Sequence, residues 1–484
     1  MTTGLAPDAL RKVLLALMTA IFLGALDQTI VAVSLPAIST QLGDVGLLAW
    51  VVSGYMVAMT VAVPIYGKLG DLHGRRRMIL TGTALFTLAS LFCAVAQDMP
   101  QLIMARVLQG IGAGGMVSVS QAIIGDFVPP RERGRYQGYF SSMYALASVA
   151  GPVLGGGLTE HLSWRWVFWI NLPLGLGAWW MLRRALAQIE APHRQGRVDY
   201  LGALLLVLGL GSLLLGITLV GQGHAWSSTP VLALEACALV GLAAFVVHEG
   251  RTPEPLLPLH LFGNRVAVLC WCTLFFASFQ SISLGVLMPL RFQAVTGAGA
   301  DNAALHLLPL AMGLPIGAFT GGRLTSMTGR YKPQILVGAA LMPLTVLGMA
   351  LTPPQAAVLG AVFMLGTGIA CGLQFPTSLV GTQNAVQASH IGVATSTTNL
   401  FRSLGGAVGV ALMSSLLLAL LHAEGLAPDG NLLLGSLQAE RSDLQVQAHL
   451  LVIFRDLLVF SAGVSLVGLV AALALPDRSL RGYR

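Results

Sequence analysis

The stretch VLLALMTAIFLGALDQTIVAVSL, residues 13–35, is an apolar run whose one charged side chain is Asp27. It is longer than the ~20 apolar residues that cross a hydrocarbon core as a helix. Arg11 and Lys12 precede the run, which exceeds the core of a secretory signal peptide and lacks a small-residue cleavage site. We therefore interpret residues 13–35 as a retained first membrane span.

Similar apolar runs recur along the whole chain. Of its 484 residues, 55% are hydrophobic and 10% are charged, whereas a soluble domain is about 45–50% apolar and about 25% charged. Such a composition cannot cover a water-facing surface, and it predicts an all-α integral membrane protein. With about 20 residues per crossing, about 14 spans are predicted. They lie at 13–35, 47–67, 78–97, 101–126, 137–158, 165–183, 200–221, 229–248, 267–290, 303–323, 333–351, 355–380, 392–421 and 451–474.

The positive charge of the chain follows the predicted topology. Lys and Arg number 27 against 20 Asp and Glu, a net charge of +7. With a cytoplasmic N-terminus, most of these cations fall between spans on the cytoplasmic side, which is the positive-inside pattern. We therefore predict that both termini are cytoplasmic and that no nucleic acid is bound. No cluster of His, Cys or acidic residues within the spans predicts a metal, a cofactor or a membrane-embedded enzyme.

A second stretch, RVLQGIGAGG at residues 106–115, has glycines at the G-x-G-x-x-G spacing that cradles dinucleotide phosphates. That function needs a preceding strand, but these residues lie inside the fourth apolar run. Small residues in a membrane helix let a neighbouring backbone approach closely. We therefore predict a helix-packing face rather than a cofactor site.

Asp27 and Arg106 lie inside predicted spans, where a charge is costly and tends to face a cavity or a partner. At a helical rise of about 1.5 Å per residue, Asp27 lies roughly 12 Å and Arg106 roughly 7 Å from the outer ends of their spans. Both therefore occupy the outer half of the membrane, where they can pair. A carboxylate there can exchange a proton, so the pair predicts proton coupling. The alternative is a static ion pair that locks two helices.

An internal repeat relates the loops that follow two of the predicted spans. The segments GKLGDLHGRR at 67–76 and GRLTSMTGRY at 322–331 share the pattern G-x-L-x-x-x-x-G-R. A unit inserted twice into a membrane is the architecture of many secondary transporters.

Several motifs together resemble the major facilitator superfamily, and within it the fourteen-span drug:proton antiporter branch of multidrug exporters. They cover nearly the whole chain, in the order that this branch shows. The motifs are LDQTIVAVSLP (26–36), GKLGDLHGRRR (67–77), RVLQGIGAGG (106–115), ASVAGPVLGGG (147–157), WRWVFWINLPLG (164–175), EPLLPLHLFGNR (254–265) and FRSLGGAVGVA (401–411).

The resemblance implies two six-helix bundles, at 1–190 and 251–484, with two accessory transmembrane helices at 191–250 between them. It also implies a proton-coupled antiporter that exports amphiphilic drugs or toxic compounds across the bacterial inner membrane by alternating access. The proton gradient drives it, and no cofactor is expected. Relatives that export dications carry further carboxylates in the thirteenth span, whereas 392–421 has none. Neutral, monocationic or zwitterionic amphiphiles are therefore the expected substrates.

Two further groups of residues take their roles from the resemblance. The first is a conformational latch on the cytoplasmic side, for which positive-inside topology alone is the alternative; it comprises Gly67, Asp71, Gly74, Arg75, Arg76 and Asp126. The second is an antiporter helix that seals the protein against proton leak, for which simple helix packing is the alternative; it comprises Gly151, Pro152, Gly155 and Gly156.

Other candidates lie elsewhere in the spans. Glu235 and His306 are ionisable groups within or near the membrane and are candidates for secondary protonation. Aromatic and amide side chains suit the binding of varied apolar ligands, and four of them are candidates for the substrate cavity. These are Phe276, Gln280, Gln374 and Phe375.

Two alternative functions stay open at this point. One is a dedicated proton-coupled transporter of a single metabolite or lipid, which the handling of chemically unrelated ligands would exclude. The other is a sensor or scaffold that binds a ligand without moving protons. The expected partners are small amphiphilic substrates, protons and membrane lipids. The outer segment 422–450 is either a capping loop or a docking surface for a periplasmic adaptor protein.

Overall fold

The computed structural model describes residues 7–43, 47–187, 198–296, 306–353, 356–424 and 444–480. Within these ranges the regular structure is helical, with one isolated β-bridge between Arg330 and Ser479. Fourteen helices of 15 residues or more are found there, each overlapping one predicted apolar run. They are α1 (Pro7–Leu42), α2 (Leu48–His73), α3 (Arg75–Val95), α4 (Met99–Phe127), α5 (Pro130–His161), α6 (Asn171–Ala185), α7 (Tyr200–Gly221), α8 (Thr229–Glu249), α9 (Arg265–Arg291), α10 (Leu308–Thr328), α11 (Lys332–Leu351), α12 (Ala357–Ala385), α13 (Ile391–Ala423) and α14 (Leu444–Ala474).

In the part of the chain that the structure describes, 11 helices are long and apolar enough to cross a membrane. The other long helices, α5, α6 and α10, carry more polar sequence or are shorter. Helix α5 begins with the charged sequence PRERGR. Helix α6 has 15 residues because a short helix, Trp166–Trp169, precedes it. The chain is thus an all-helical, multi-pass membrane protein, and about fourteen crossings stay a prediction.

The first of two compact units comprises Met1–Leu213, Cys237–Ala267 and Thr382–Leu400. Within it, α4 packs against both α2 and α3. A Cβ atom added to Gly112 would lie 2.5 Å from the backbone nitrogen of Phe86, and one added to Gly115 would lie 2.6 Å from the ring of Tyr66. The glycines leave room for the neighbouring helices, which confirms the packing face predicted for residues 106–115.

The second unit comprises Leu214–Ala236, Val268–Gly381 and Phe401–Arg484. It too is packed through glycines, since a Cβ atom on Gly313 of α10 would lie 2.9 Å from the Cα atom of Gly368 of α12. Helix α11 packs against α14. The predicted bundle boundaries near residues 190 and 250 stay predictions, because each compact unit combines several segments of the chain.

Candidate functional site

Asp27 of α1 and Arg106 of α4 form an ion pair inside the first unit. The Nη1 atom of Arg106 lies 2.5 Å from Oδ2 of Asp27, and the two residues are 1% and 0% exposed. The structure therefore brings together two residues whose depths in the membrane led us to expect a contact. Their role in proton coupling stays a prediction.

Two neutral amides complete the surroundings of the Asp27 carboxylate. Gln109 Nε2 and Asn171 Nδ2 donate hydrogen bonds to Asp27 Oδ1 at 2.8 and 2.7 Å. Arg106 Nη1 also donates to Gln109 Oε1 at 2.6 Å, and the guanidinium carbon lies 4.1 Å from the ring centroid of Tyr55. The carboxylate thus accepts hydrogen bonds from three side chains.

Protonation of Asp27 would change this arrangement. A protonated acid must donate a hydrogen bond, whereas the side chains around it are donors, and Arg106 would keep a buried charge without its partner. Among the described residues, Asn171 Oδ1 and the Tyr55 hydroxyl are buried without a hydrogen-bond partner. Rotation of the Asn171 amide would turn its oxygen toward a protonated Asp27.

The sequence analysis did not identify Gln109 and Asn171 as parts of this site. Gln109 is three residues after Arg106 and lies on the same helix face, so the i,i+3 spacing was an available signal. Asn171 interrupts the apolar segment WINLPLG, but the side chain it faces could not be read from that segment alone.

The latch residues meet around the buried Arg75 guanidinium at the start of α3. Arg75 Nε donates to Asp126 Oδ2 at 2.8 Å, and Nη1 donates to the Gly67 carbonyl at 3.3 Å. Arg75 Nη2 forms an ion pair with Asp71. Gly74 connects α2 to α3 with a φ of 90°, a conformation that glycine adopts without the strain of a side chain. These five residues therefore form one cluster around one cation.

The cluster also holds the beginning of α13, which belongs to the same compact unit. The backbone nitrogen of Val393 donates to Asp71 Oδ2 at 3.2 Å. A Cβ atom on Gly67 would lie 2.7 Å from the Cβ atom of Ser396. Arg76 points elsewhere, with Nη2 3.5 Å from the carbonyl of Arg183. The sequence analysis missed this contact with α13, because a backbone N–H group has no sequence signature.

The antiporter helix α5 packs against α1 close to Asp27. A Cβ atom on Gly155 would lie 2.7 Å from the Ile30 carbonyl oxygen. Gly151 directly faces Thr29, whose hydroxyl donates to the Ala147 carbonyl at 2.9 Å. The two other predicted residues lie apart from this contact: Pro152 is exposed, and a Cβ atom on Gly156 would meet nothing within 4 Å.

Glu235 and His306 lie in the second unit. Glu235 is half-buried on α8, where its Cγ atom would lie 3.8 Å from a Cβ atom on Gly216 of α7. The His306 ring lies beside Phe292, with centroids 4.5 Å apart. Their predicted role in secondary protonation stays a prediction.

The predicted substrate residues divide between neighbouring helices of the second unit. Gln280 is held by Ser461 of α14, donating to its carbonyl at 2.5 Å and accepting from its hydroxyl at 2.6 Å. Phe276 faces Gly468 of the same helix. Gln374 donates within α12 to the Ala370 carbonyl at 3.1 Å.

Phe375, the remaining predicted substrate residue, lies on α12. The guanidinium carbon of Arg402 is 6.0 Å from the centroid of its ring. Arg402 did not figure among the predicted substrate residues. A substrate role for all four predicted residues stays a prediction.

Relatives among known proteins agree with the motifs and the fold. "Multidrug transporter protein MdtP" of Bacillus subtilis (strain 168) is 34% identical over 89% of this chain and 78% of that protein. "Multidrug resistance protein 3" of the same organism is 35% identical over 86% of this chain and 81% of that protein. The first relative is named as a transporter and the second for multidrug resistance, and neither is named as an enzyme.

A solved structure shares the fold. The crystal structure of the human organic anion transporter MFSD10 (TETRAN) matches with a TM-score of 0.66, covering 96% of this chain and 100% of that one at 14% identity. Residues 17–410, most of the sequence, match the family model described as Major Facilitator Superfamily. The chain therefore belongs to the Major Facilitator Superfamily of membrane transporters.

Proposed function

We propose that this protein is a proton-coupled antiporter that exports amphiphilic drugs or toxic compounds by alternating access. The observation that carries the proposal is the buried pair of Asp27 and Arg106. A buried pair of opposite charges is a poor source of stability, because desolvation offsets much of the attraction. The multidrug names of relatives at 34% and 35% identity supply the substrate class.

The exchange follows from charge balance at this pair. A proton that reaches Asp27 from the outer side neutralises the carboxylate and leaves Arg106 without its counter-ion. Because an unpaired buried charge is unstable, protonation favours a different arrangement of the surrounding helices. Release of the proton to the cytoplasm restores the pair. In the other half of the cycle the protein exports substrate, so protons and substrate move in opposite directions.

We assign the conformational step to the cluster of Asp71, Arg75 and Asp126. It binds Val393 at the start of α13, and the later residues of that helix belong to the second unit. Breaking the cluster would release the first turns of α13. In this proposal, the latch closes the cytoplasmic side in one state and opens in the other, while α5 seals α1 against proton leak.

The finer assignments belong to the same proposal. The protein would be a member of the fourteen-span drug:proton antiporter branch, with α5, α6 and α10 also crossing the membrane. It would lie in the bacterial inner membrane with both termini in the cytoplasm and use no cofactor. The segment 422–450 would cap the outer side or bind a periplasmic adaptor; residues 425–443 of it lie outside the described residues.

The latch predicts an asymmetry between the two copies of the repeat. We expect Asp71→Asn to lower transport about tenfold or more, because hydrogen bonds to buried charged groups are the strong ones. The matched control is Asp477→Asn. Asp477 pairs with Arg330, the repeat counterpart of Arg75, but the two side chains are 43% and 60% exposed. Such a surface pair contributes little. Transport rates of both variants in proteoliposomes check this, and equal effects would contradict the latch.

Transport itself is tested in proteoliposomes that hold an acidic lumen and a pH-sensitive dye. We expect several chemically unrelated amphiphiles to dissipate the gradient faster than in protein-free vesicles. Response to one compound class alone would favour a dedicated metabolite or lipid transporter. Binding of amphiphiles without any proton movement would overturn the antiport proposal and favour a sensor.

A further inference from the structure

Arg402 is a cation in the interior of a membrane helix. It lies about 17 Å along α13 from Ile391 at about 1.5 Å per residue, roughly half of a hydrocarbon core that is about 30 Å thick. An arginine at this depth is costly unless it faces a cavity or a partner. The question is therefore which group balances its charge.

Three other arginines of these helices have partners. Arg106 pairs with Asp27, and Arg75 pairs with Asp71 and Asp126. Arg291 at the end of α9 donates to two backbone carbonyl groups, both at 3.0 Å. Across the ranges that the structure describes, Arg402 makes no hydrogen bond or ion pair. Its contact there is the ring of Phe375, 6.0 Å from the guanidinium carbon.

The later helices of the chain supply no counter-ion. Helices α9, α10, α11, α12 and α13 contain no Asp or Glu in their sequences. Asp456, the carboxylate of α14, accepts a hydrogen bond from the adjacent Arg455 at 3.0 Å. Helices α9–α14 therefore offer Arg402 no unpaired carboxylate.

The packing of α13 fixes where this charge lies. Phe401 stacks on Trp271 of α9, with ring centroids 5.5 Å apart and an interplanar angle of 14°. Gly409 contacts the backbone of Phe279 on the same helix. These contacts set the rotation of α13, so Arg402 lies beside Phe375 of α12. Arg402 is only partly buried.

We propose that Arg402 and Phe375 bind the anionic group of an amphiphile, a carboxylate or a phosphate, with its apolar body on the ring. The planar guanidinium matches both groups with paired hydrogen bonds. The proposal rests on the proposed export function and names its substrate class: anionic or zwitterionic amphiphiles. The same chemistry is present in a transported acid and in a lipid headgroup, so the experiment distinguishes the two.

The first arm measures ligand binding by the purified full-length protein in detergent, without any proton gradient. The probes are pyrenebutyric acid and its methyl ester, which differ in charge but share the ring. We expect Arg402→Gln to weaken binding of the acid about tenfold or more and to leave ester binding unchanged. Arg455→Gln, which removes an exposed arginine of α14, is the matched control and should change neither affinity.

The second arm measures thermal unfolding in nanodiscs of phosphatidylcholine with and without phosphatidylglycerol. If the ligand is a lipid headgroup, stabilisation by phosphatidylglycerol disappears in Arg402→Gln. Loss in either arm supports the proposal and identifies the source. An unchanged response in both arms overturns it.

If Arg402→Gln fails to fold, Arg402→Lys serves instead, because it keeps the positive charge but lacks the planar guanidinium. Undiminished affinity of this variant for the acid would overturn the paired hydrogen bonds.

The binding arms stay informative if the export function is wrong. Asp27→Asn should keep the preference for acid over ester, since its carboxylate lies in the other compact unit. Acid binding that depends on Arg402 in a protein that moves no protons would reject antiport and retain this site. Proton exchange without any preference for the acid would support antiport and reject this site.

Discussion

Replacing Asp27 by Asn is expected to reduce substrate-driven proton exchange to the level of protein-free vesicles. The amide has nearly the shape of the carboxylate, and its oxygen can still accept from Gln109 and Asn171, but it cannot take up and release a proton. Arg106 also loses its counter-ion, and removing one partner of a buried ion pair costs about 3–5 kcal/mol. We therefore expect a lower unfolding temperature in addition to the transport defect.

Two further variants separate the loss of proton coupling from the loss of protein stability. Asp456→Asn removes an exposed carboxylate of α14 and should leave exchange unchanged. Gln109→Leu removes a donor to Asp27 and should lower stability, yet it keeps the titratable group and so retains some exchange. If Asp27→Asn lowers only the unfolding temperature and proton exchange persists, the pair is a static lock between α1 and α4.

The sequence could predict the charged members of this site because a charge inside an apolar run is conspicuous. Counting residues along two helices was sufficient to place Asp27 and Arg106 at similar depths. Gln109 and Asn171 are neutral amides, and such side chains occur in many membrane helices without a shared partner. Their contact with Asp27 depends on the rotation of three helices about their axes, which the apolar pattern of α1, α4 and α6 does not specify.

The repeat shows a different limit of sequence analysis. Arg75 and Arg330 occupy equivalent positions of the shared pattern, which suggests equivalent environments. In the structure, Arg75 is 7% exposed between two carboxylates, whereas Arg330 is 60% exposed and pairs at 3.2 Å with Asp477. The difference arises from segments remote in sequence, since α13 covers the first copy. Two copies of the same sequence pattern can therefore differ in how deeply their arginines are buried.

Substituting Leu for Gly112 is expected to prevent the first unit from folding. A Cβ atom at this position would lie 2.5 Å from the Phe86 nitrogen, 2.7 Å from the Gly82 oxygen and 2.9 Å from the Phe86 Cα atom. All three are backbone atoms, so α3 and α4 can accept a side chain only by moving apart. Overpacking a core costs about 1–3 kcal/mol for a few added methylene groups. Separating two helices along their length adds the loss of their other contacts.

Gly177→Leu is the matched control, because a Cβ atom on this glycine of α6 meets nothing within 4 Å. We expect it to give the size-exclusion profile and unfolding temperature of the unmodified protein, whereas Gly112→Leu yields aggregated or no protein. Gly112→Ala should fall between the two. The contrast isolates the α3–α4 contact from the general effect of losing a glycine, since both substitutions add the same side chain to a membrane-associated helix. If both Leu variants unfold at the same temperature, α4 does not need its glycines for close approach.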